Sequence, residues 1–107
     1  MTKALFVFLF LFAASVGARA SVVFDTGNEL LSMCDDPRER PICLGTVSGY
    51  YDMLQWMERT CAEVTVAKGQ AADVVIKFLR DHPANRHMFA ASLASVALMQ
   101  AFPCSKK

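Results

Sequence analysis

The chain has no block of basic residues, no glycine-rich loop and no Cys-x-x-Cys pair, and each absence closes off a class of function. Lys3 and Arg19 fall in the N-terminal segment, so residues 21–107 keep nine basic against ten acidic side chains. A surface with a net charge near −1 offers a nucleic-acid backbone nothing to hold. Gly45 and Gly49 sit inside a helical segment instead of before one, which excludes a phosphate cradle. The first two cysteines, Cys34 and Cys43, are nine positions apart, too far for a redox couple within one helical turn. Histidine is scarce: His82 and His87 are the only two, with Asp81 the only close acidic ligand, so no metal is expected. Asp52 and Glu58 are six residues apart and project from different helical faces, which rules out a carboxylate pair. No cofactor, no catalytic residue and no enzymatic activity are expected.

What is present starts with an apolar run. Ala4 to Ala14 is eleven apolar residues without interruption, followed by the small-x-small pattern Ala18-Arg19-Ala20. A membrane span needs about 20 apolar residues, so residues 1–20 read as a cleavable signal peptide cut after Ala20. The mature chain, residues 21–107, is then a single exported domain with no stable membrane insertion. It is destined for the periplasm, where disulfides persist.

The periodicity predicts four helices. Thr26-Gly27-Asn28-Glu29 is a capping box that opens a short helix through Leu30, Leu31 and Met33 to about Cys34. Asp35 to Pro41 is charged and twice interrupted by proline, a loop. From Cys43 to about Arg59 a stripe of Leu44, Val47, Tyr51 and Leu54 marks a second helix, widened by Tyr50, Met53 and Met57. Gly45 and Gly49 lie about one turn apart there, a pattern suited to close packing of a neighbouring helix. A third helix, about Gln70 to Asp81, carries Ala71, Val74, Val75, Phe78 and Leu79, with an Asp73–Lys77 pair on its outer side. Asn85 is placed to cap a fourth, about Arg86 to Phe102, with Phe89, Leu93 and Val96 as its stripe. That helix is apolar almost all round and should be the most buried; Pro103 stops it. Trp56, Tyr50 and Tyr51 suit either core packing or an interface, and exposure of Met, Trp and Tyr side chains on the second helix would allow a homodimer.

The fold expected is all-α: a compact up-down four-helix domain stapled by two disulfides. In such a bundle Cys34 and Cys43 lie at one end, Cys61 and Cys104 at the other. A 17-residue helix spans about 25 Å, whereas bridged Cα atoms lie within about 7 Å. The pairing expected is therefore Cys34–Cys43 and Cys61–Cys104.

These residues resemble the Rap/Tai group of immunity proteins associated with bacterial type VI secretion. The resemblance rests on Thr26-Gly27-Asn28-Glu29-Leu30-Leu31 leading to Cys34, on Cys43-x-Gly45-x-Val47-x-Gly49-x-x-Asp52, and on Cys61. It continues through Gly69-Gln70, Val74-Val75-x-x-Phe78-Leu79, His82-Pro83 and the closing Phe102-Pro103-Cys104. Thr46, where the family often carries tyrosine, and the polar stretch Met57 to Thr60 depart from the pattern. The resemblance implies a periplasmic helical protein that binds and blocks a peptidoglycan-cleaving amidase delivered by neighbouring cells. An inhibitor needs a protruding element to enter its target's cleft. Two loops at one end of the bundle are candidates, with Arg38, Glu39 and Arg40 on the first and His82, Asn85, Arg86 and His87 on the second. The alternative is a periplasmic structural or envelope-stress adaptor with an unrelated protein partner.

Overall fold

The computed structural model describes residues 25–61 and 65–104; the expected signal peptide lies outside them. Among the described residues there are four α-helices, α1 (Gly27–Asp35), α2 (Arg40–Trp56), α3 (Lys68–Asp81) and α4 (Ala90–Ala101), and one 3-10 turn, Pro83–Asn85. Both bridges form as expected, Cys34–Cys43 with Cα atoms 5.0 Å apart and Cys61–Cys104 with 4.5 Å.

The capping box at the start of α1 is complete. The Thr26 hydroxyl accepts from Glu29 N at 3.3 Å, and the Glu29 carboxylate accepts from Thr26 N at 2.6 Å. Two of the amides that a helix start leaves without partners are thereby satisfied. α2 begins three residues earlier than its apolar stripe suggests. Pro41 falls in the first turn, where a missing N–H costs nothing and a fixed φ helps. The C-terminal end of α2 is closed by a Schellman arrangement, with Arg59 N donating to Leu54 O at 2.8 Å and Glu58 N to Gln55 O at 2.9 Å. Glu58 occupies the left-handed position at φ 57° that glycine usually fills.

α4 departs most from expectation. Asn85 does not cap it; its amide donates to His82 O at 3.1 Å and closes the 3-10 turn. Residues 86–88 instead form a turn and bend beside the start of α1, with Met88 N donating to Asn85 O at 3.0 Å. Asn28 N donates to Arg86 O, Gly27 N to Met88 O (both 2.9 Å) and Ala90 N to Asp25 O at 2.7 Å, with Thr26 and Phe89 forming an antiparallel bridge. These long-range backbone bonds outweigh a local cap, and the helix starts only at Ala90.

The core holds Leu30, Leu31, Cys34, Cys43, Val47, Tyr51, Leu54, Ala71, Ala72, Val75, Ile76, Leu79, Ala90, Leu93, Ala94, Ala97 and Leu98. On α4 the buried side is Ala90, Leu93, Ala94, Ala97 and Leu98, while the expected Phe89 and Val96 are exposed. A helix apolar all round does not disclose which face turns inward. Nor is α4 the most buried: α1 buries four of its nine residues, α4 five of twelve. On α3 Ile76 is buried, and Val74 and Phe78 are only partly so. Lys77 pairs with Asp81 at 2.7 Å, not with Asp73, which faces Arg40 at 3.5 Å.

One glycine is required by packing. A Cβ on Gly27 would stand 2.5 Å from Leu93 Cδ1, 3.0 Å from the Arg86 carbonyl oxygen and 3.1 Å from Leu79 Cδ2. The two expected to serve that purpose do not. Gly45 and Gly49 face outward, and a Cβ on either would meet nothing within 4 Å. The close helix packing expected at them is absent from the folded chain, because the buried arc of α2 is centred on Val47, Tyr51 and Leu54.

Candidate functional site

The turn between α1 and α2 is short and internally bonded. The Asp36 carboxylate accepts from Arg38 N at 2.9 Å and lies 3.4 Å from the Arg38 guanidinium. Arg38 nonetheless leaves 90% of its side chain to solvent. Glu39 is exposed at the start of α2, and its carbonyl accepts from Ile42 and Cys43. Arg40 turns the other way: its guanidinium reaches Cys34 O and the Asp73 carboxylate, each at 3.5 Å, and so ties α1, α2 and α3 together. Asp35, the last residue of α1, pairs with Arg80 near the end of α3.

The second candidate segment follows α3. The His82 ring stacks on Phe78 at 4.1 Å between centroids, and its Nδ1 lies 2.8 Å from Phe78 O, which fixes the plane of the imidazole. Beside it, the hydrogen bond from Lys77 holds the Asp81 carboxyl below its ordinary pKa. Asn85 and His87 are exposed. Arg86 is partly buried, and its Nε has no hydrogen-bond partner among the described residues.

The segments meet opposite ends of α1. Asp35 carries the first turn against α3, while Gly27 and Asn28 carry the second segment by main-chain bonds. A nine-residue helix is about 13 Å long. Arg38 and Glu39 at one end, and Asn85 and His87 at the other, are thus the free groups of one edge. Arg40 and His82 are engaged in holding it.

Two further features bear on function, the first absent from the sequence reading and the second anticipated there only in part. One is a shallow groove of about 320 Å³ between α3 and α4, lined by Val74, Phe78, His82, Ala97 and Ala101 with Lys77, Asp81 and Gln100. The other is exposed apolar surface. Trp56 is 81% exposed, Ile42 58%, Met53 56% and Met57 52% on or beside α2, with Met88 and Phe89 exposed on the second segment. Tyr51 is buried as core packing requires, meets Phe102 edge-on at 5.6 Å, and its hydroxyl pKa is raised by burial. The signal for the exposed stripe was available: Ile42, Gly45, Thr46, Gly49, Met53 and Trp56 recur at helical spacing with no charge among them. Among the described residues no group of three His, Cys, Asp or Glu gathers to hold a metal. No described helix is long and apolar enough to cross a membrane.

A family model described as Rap1a immunity proteins matches residues 26–104, from the capping threonine to the last cysteine. No curated protein and no solved structure matches the chain.

Proposed function

The chain belongs to the family of Rap1a immunity proteins, and we propose that it acts as a non-enzymatic periplasmic inhibitor of a peptidoglycan-cleaving amidase delivered by type VI secretion. The mature protein in this reading is residues 21–107, released by cleavage after Ala20. Two disulfides in so small a domain support export to an oxidising compartment. The observation that carries the reading is the edge built on α1. Its second segment is held by main-chain bonds, so His87 and Met88 stand free to enter a cleft without loosening the scaffold. Arg38 and Glu39 flank them from the first turn. Few interface residues carry most of the energy of such a contact, and they are commonly large apolar or arginine side chains; Met88 and Arg38 are the candidates here.

Co-purification from periplasm, followed by an amidase assay with and without the protein, tests this directly. Arg38→Glu combined with His87→Glu and Met88→Glu is expected to weaken inhibition by at least about tenfold while the thermal midpoint holds. Unchanged inhibition by the triple variant rejects the placement. No amidase inhibited by the intact protein rejects the function and leaves the envelope-adaptor role.

The exposed stripe on α2 favours a second, compatible reading: the chain also associates with itself through that helix.

A further inference from the structure

We infer that Val23 and Phe24, ahead of α1, form an extended arm that docks beside Tyr50 and Met53 of α2 and against the Phe89 ring. This rests on the cleavage after Ala20 proposed above, which makes Ser21 the first residue of the mature chain. The stretch Ser21-Val22-Val23-Phe24 carries no charged side chain, and Val22, Val23 and Phe24 are large and apolar. β-Branched and aromatic side chains favour extended backbone on a half-buried surface. Left in water at a chain end, they forgo the gain of burial.

Asp25 fixes where this stretch meets the domain. Its carbonyl accepts from Ala90 N at 2.7 Å, and Thr26 is extended and bridges antiparallel to Phe89. The Tyr50 phenol is pushed above its ordinary pKa by burial and then by the Asp25 carboxylate, so that carboxylate faces α2. Side chains of an extended chain alternate between two sides. Val23 therefore follows Asp25 towards α2, and Phe24 follows Thr26 to the side of Phe89, its bridge partner. Burial agrees with this division: Ala90, opposite Asp25, is fully buried, whereas Phe89 is exposed by more than half.

The surface offered to Val23 is apolar and open. α1 is tied to the start of α2 by Cys34–Cys43 and covers one flank of α2 only as far back as Gly27. Beyond that point the flank continues as half-buried Tyr50 and, three residues on, exposed Met53. Three residues of helix rise about 4.5 Å. Two residues of extended chain span about 6.5 Å, so Val23 reaches both. On the other side, Phe24 and Phe89 are diagonal neighbours across the bridge, within the reach of aromatic side chains. An arm so seated prolongs the hold of residues 25–28 on the segment that carries His87 and Met88.

NMR of the oxidised mature chain, residues 21–107, decides this. Nuclear Overhauser contacts are expected from the Val23 methyls to the Tyr50 ring and the Met53 methyl, and from the Phe24 ring to the Phe89 ring. Val23→Asp combined with Phe24→Ser should remove them and speed exchange of the Ala90 amide by at least about tenfold, because its acceptor adjoins the arm. Helical circular dichroism should be retained, since the core between the helices is untouched. Random-coil shifts for residues 22–24, or Phe24 contacts to α3, overturn the inference. So does a double variant whose Ala90 amide exchanges like the parent's. Intact mass of the periplasmic protein tests the cleavage by itself: a first residue other than Ser21 rejects that reading, and only one beyond Phe24 overturns the arm as well.

Discussion

Where α1 meets α2, the bridged Cys34 and Cys43 are sealed in the core, 1% and 0% exposed, and have company. The Asp35–Arg80 and Arg40–Asp73 ion pairs and the reach of the Arg40 guanidinium to Cys34 O converge on the same end. At the opposite end the second bridge joins an exposed Cys61 to a half-buried Cys104. Among the described residues, Cys61 N donates to Phe102 O at 3.1 Å and Phe102 meets Tyr51 edge-on. Ion pairs reinforce the first bridge, and among the described residues none stands beside the second. A bridge's accessibility and the length of chain it constrains are therefore separate properties. The buried bridge spans a separation of nine residues, the accessible one 43.

The largest expected effect separates those properties. Replacing Cys61 and Cys104 together by serine should cost about 4 kcal/mol by the loop-entropy estimate, against about 2.6 kcal/mol from the same source for the shorter loop. Urea denaturation of both double variants measures this. In the intact protein, a mild thiol reductant should open Cys61–Cys104 first, while Cys34–Cys43 yields only when the core opens; mass spectrometry after alkylation reads the order. Simultaneous reduction of both bridges would erase the contrast between the ends.

An intermediate effect probes the start of α1, away from both bridges. Gly27→Val should destabilise by about 1–3 kcal/mol, because the new side chain meets the fixed Arg86 carbonyl as well as Leu93 and Leu79. Redundant ties do not relieve a steric clash. A variant that melts with the parent would show that α1 can shift away.

The smallest effect has the opposite sign and lies beside the Cys61–Cys104 bridge. Glu58→Gly removes a left-handed conformation from a residue with a Cβ. It should raise stability by about 0.5–1 kcal/mol, read as a shift in the urea midpoint. A loss would mean that the Glu58 side chain contributes more than its backbone costs.

The sequence disclosed what depends on neighbours along the chain. The Thr26–Glu29 box forms because both partners are three residues apart. The disulfide pairing followed once helix lengths excluded the alternatives. Pro37 and Pro41 predict a loop through residue 41, yet the first turn of a helix accepts a proline and α2 opens at Arg40. What stayed hidden depends on contacts far apart in sequence. Asn85 lost its capping role to bonds between residues 86–90 and residues 25–28. The inward face of α4 is chosen by its neighbours, not by its own nearly uniform apolar pattern. Of the candidate edge, its two segments were legible. That Arg40 is engaged in holding three helices together, and that Gly45 and Gly49 face outward, were not.

The main-chain anchoring of residues 86–89 has an evolutionary consequence. Asn28, Gly27 and Ala90 grip carbonyls and amides that every amino acid possesses, apart from the amide that proline lacks. Substitution at His87 or Met88 therefore leaves the grip intact, and mutation there is nearly invisible to folding. Such a segment can drift, or be driven by a changing adversary, at a pace that the tightly fitted Gly27 cannot follow.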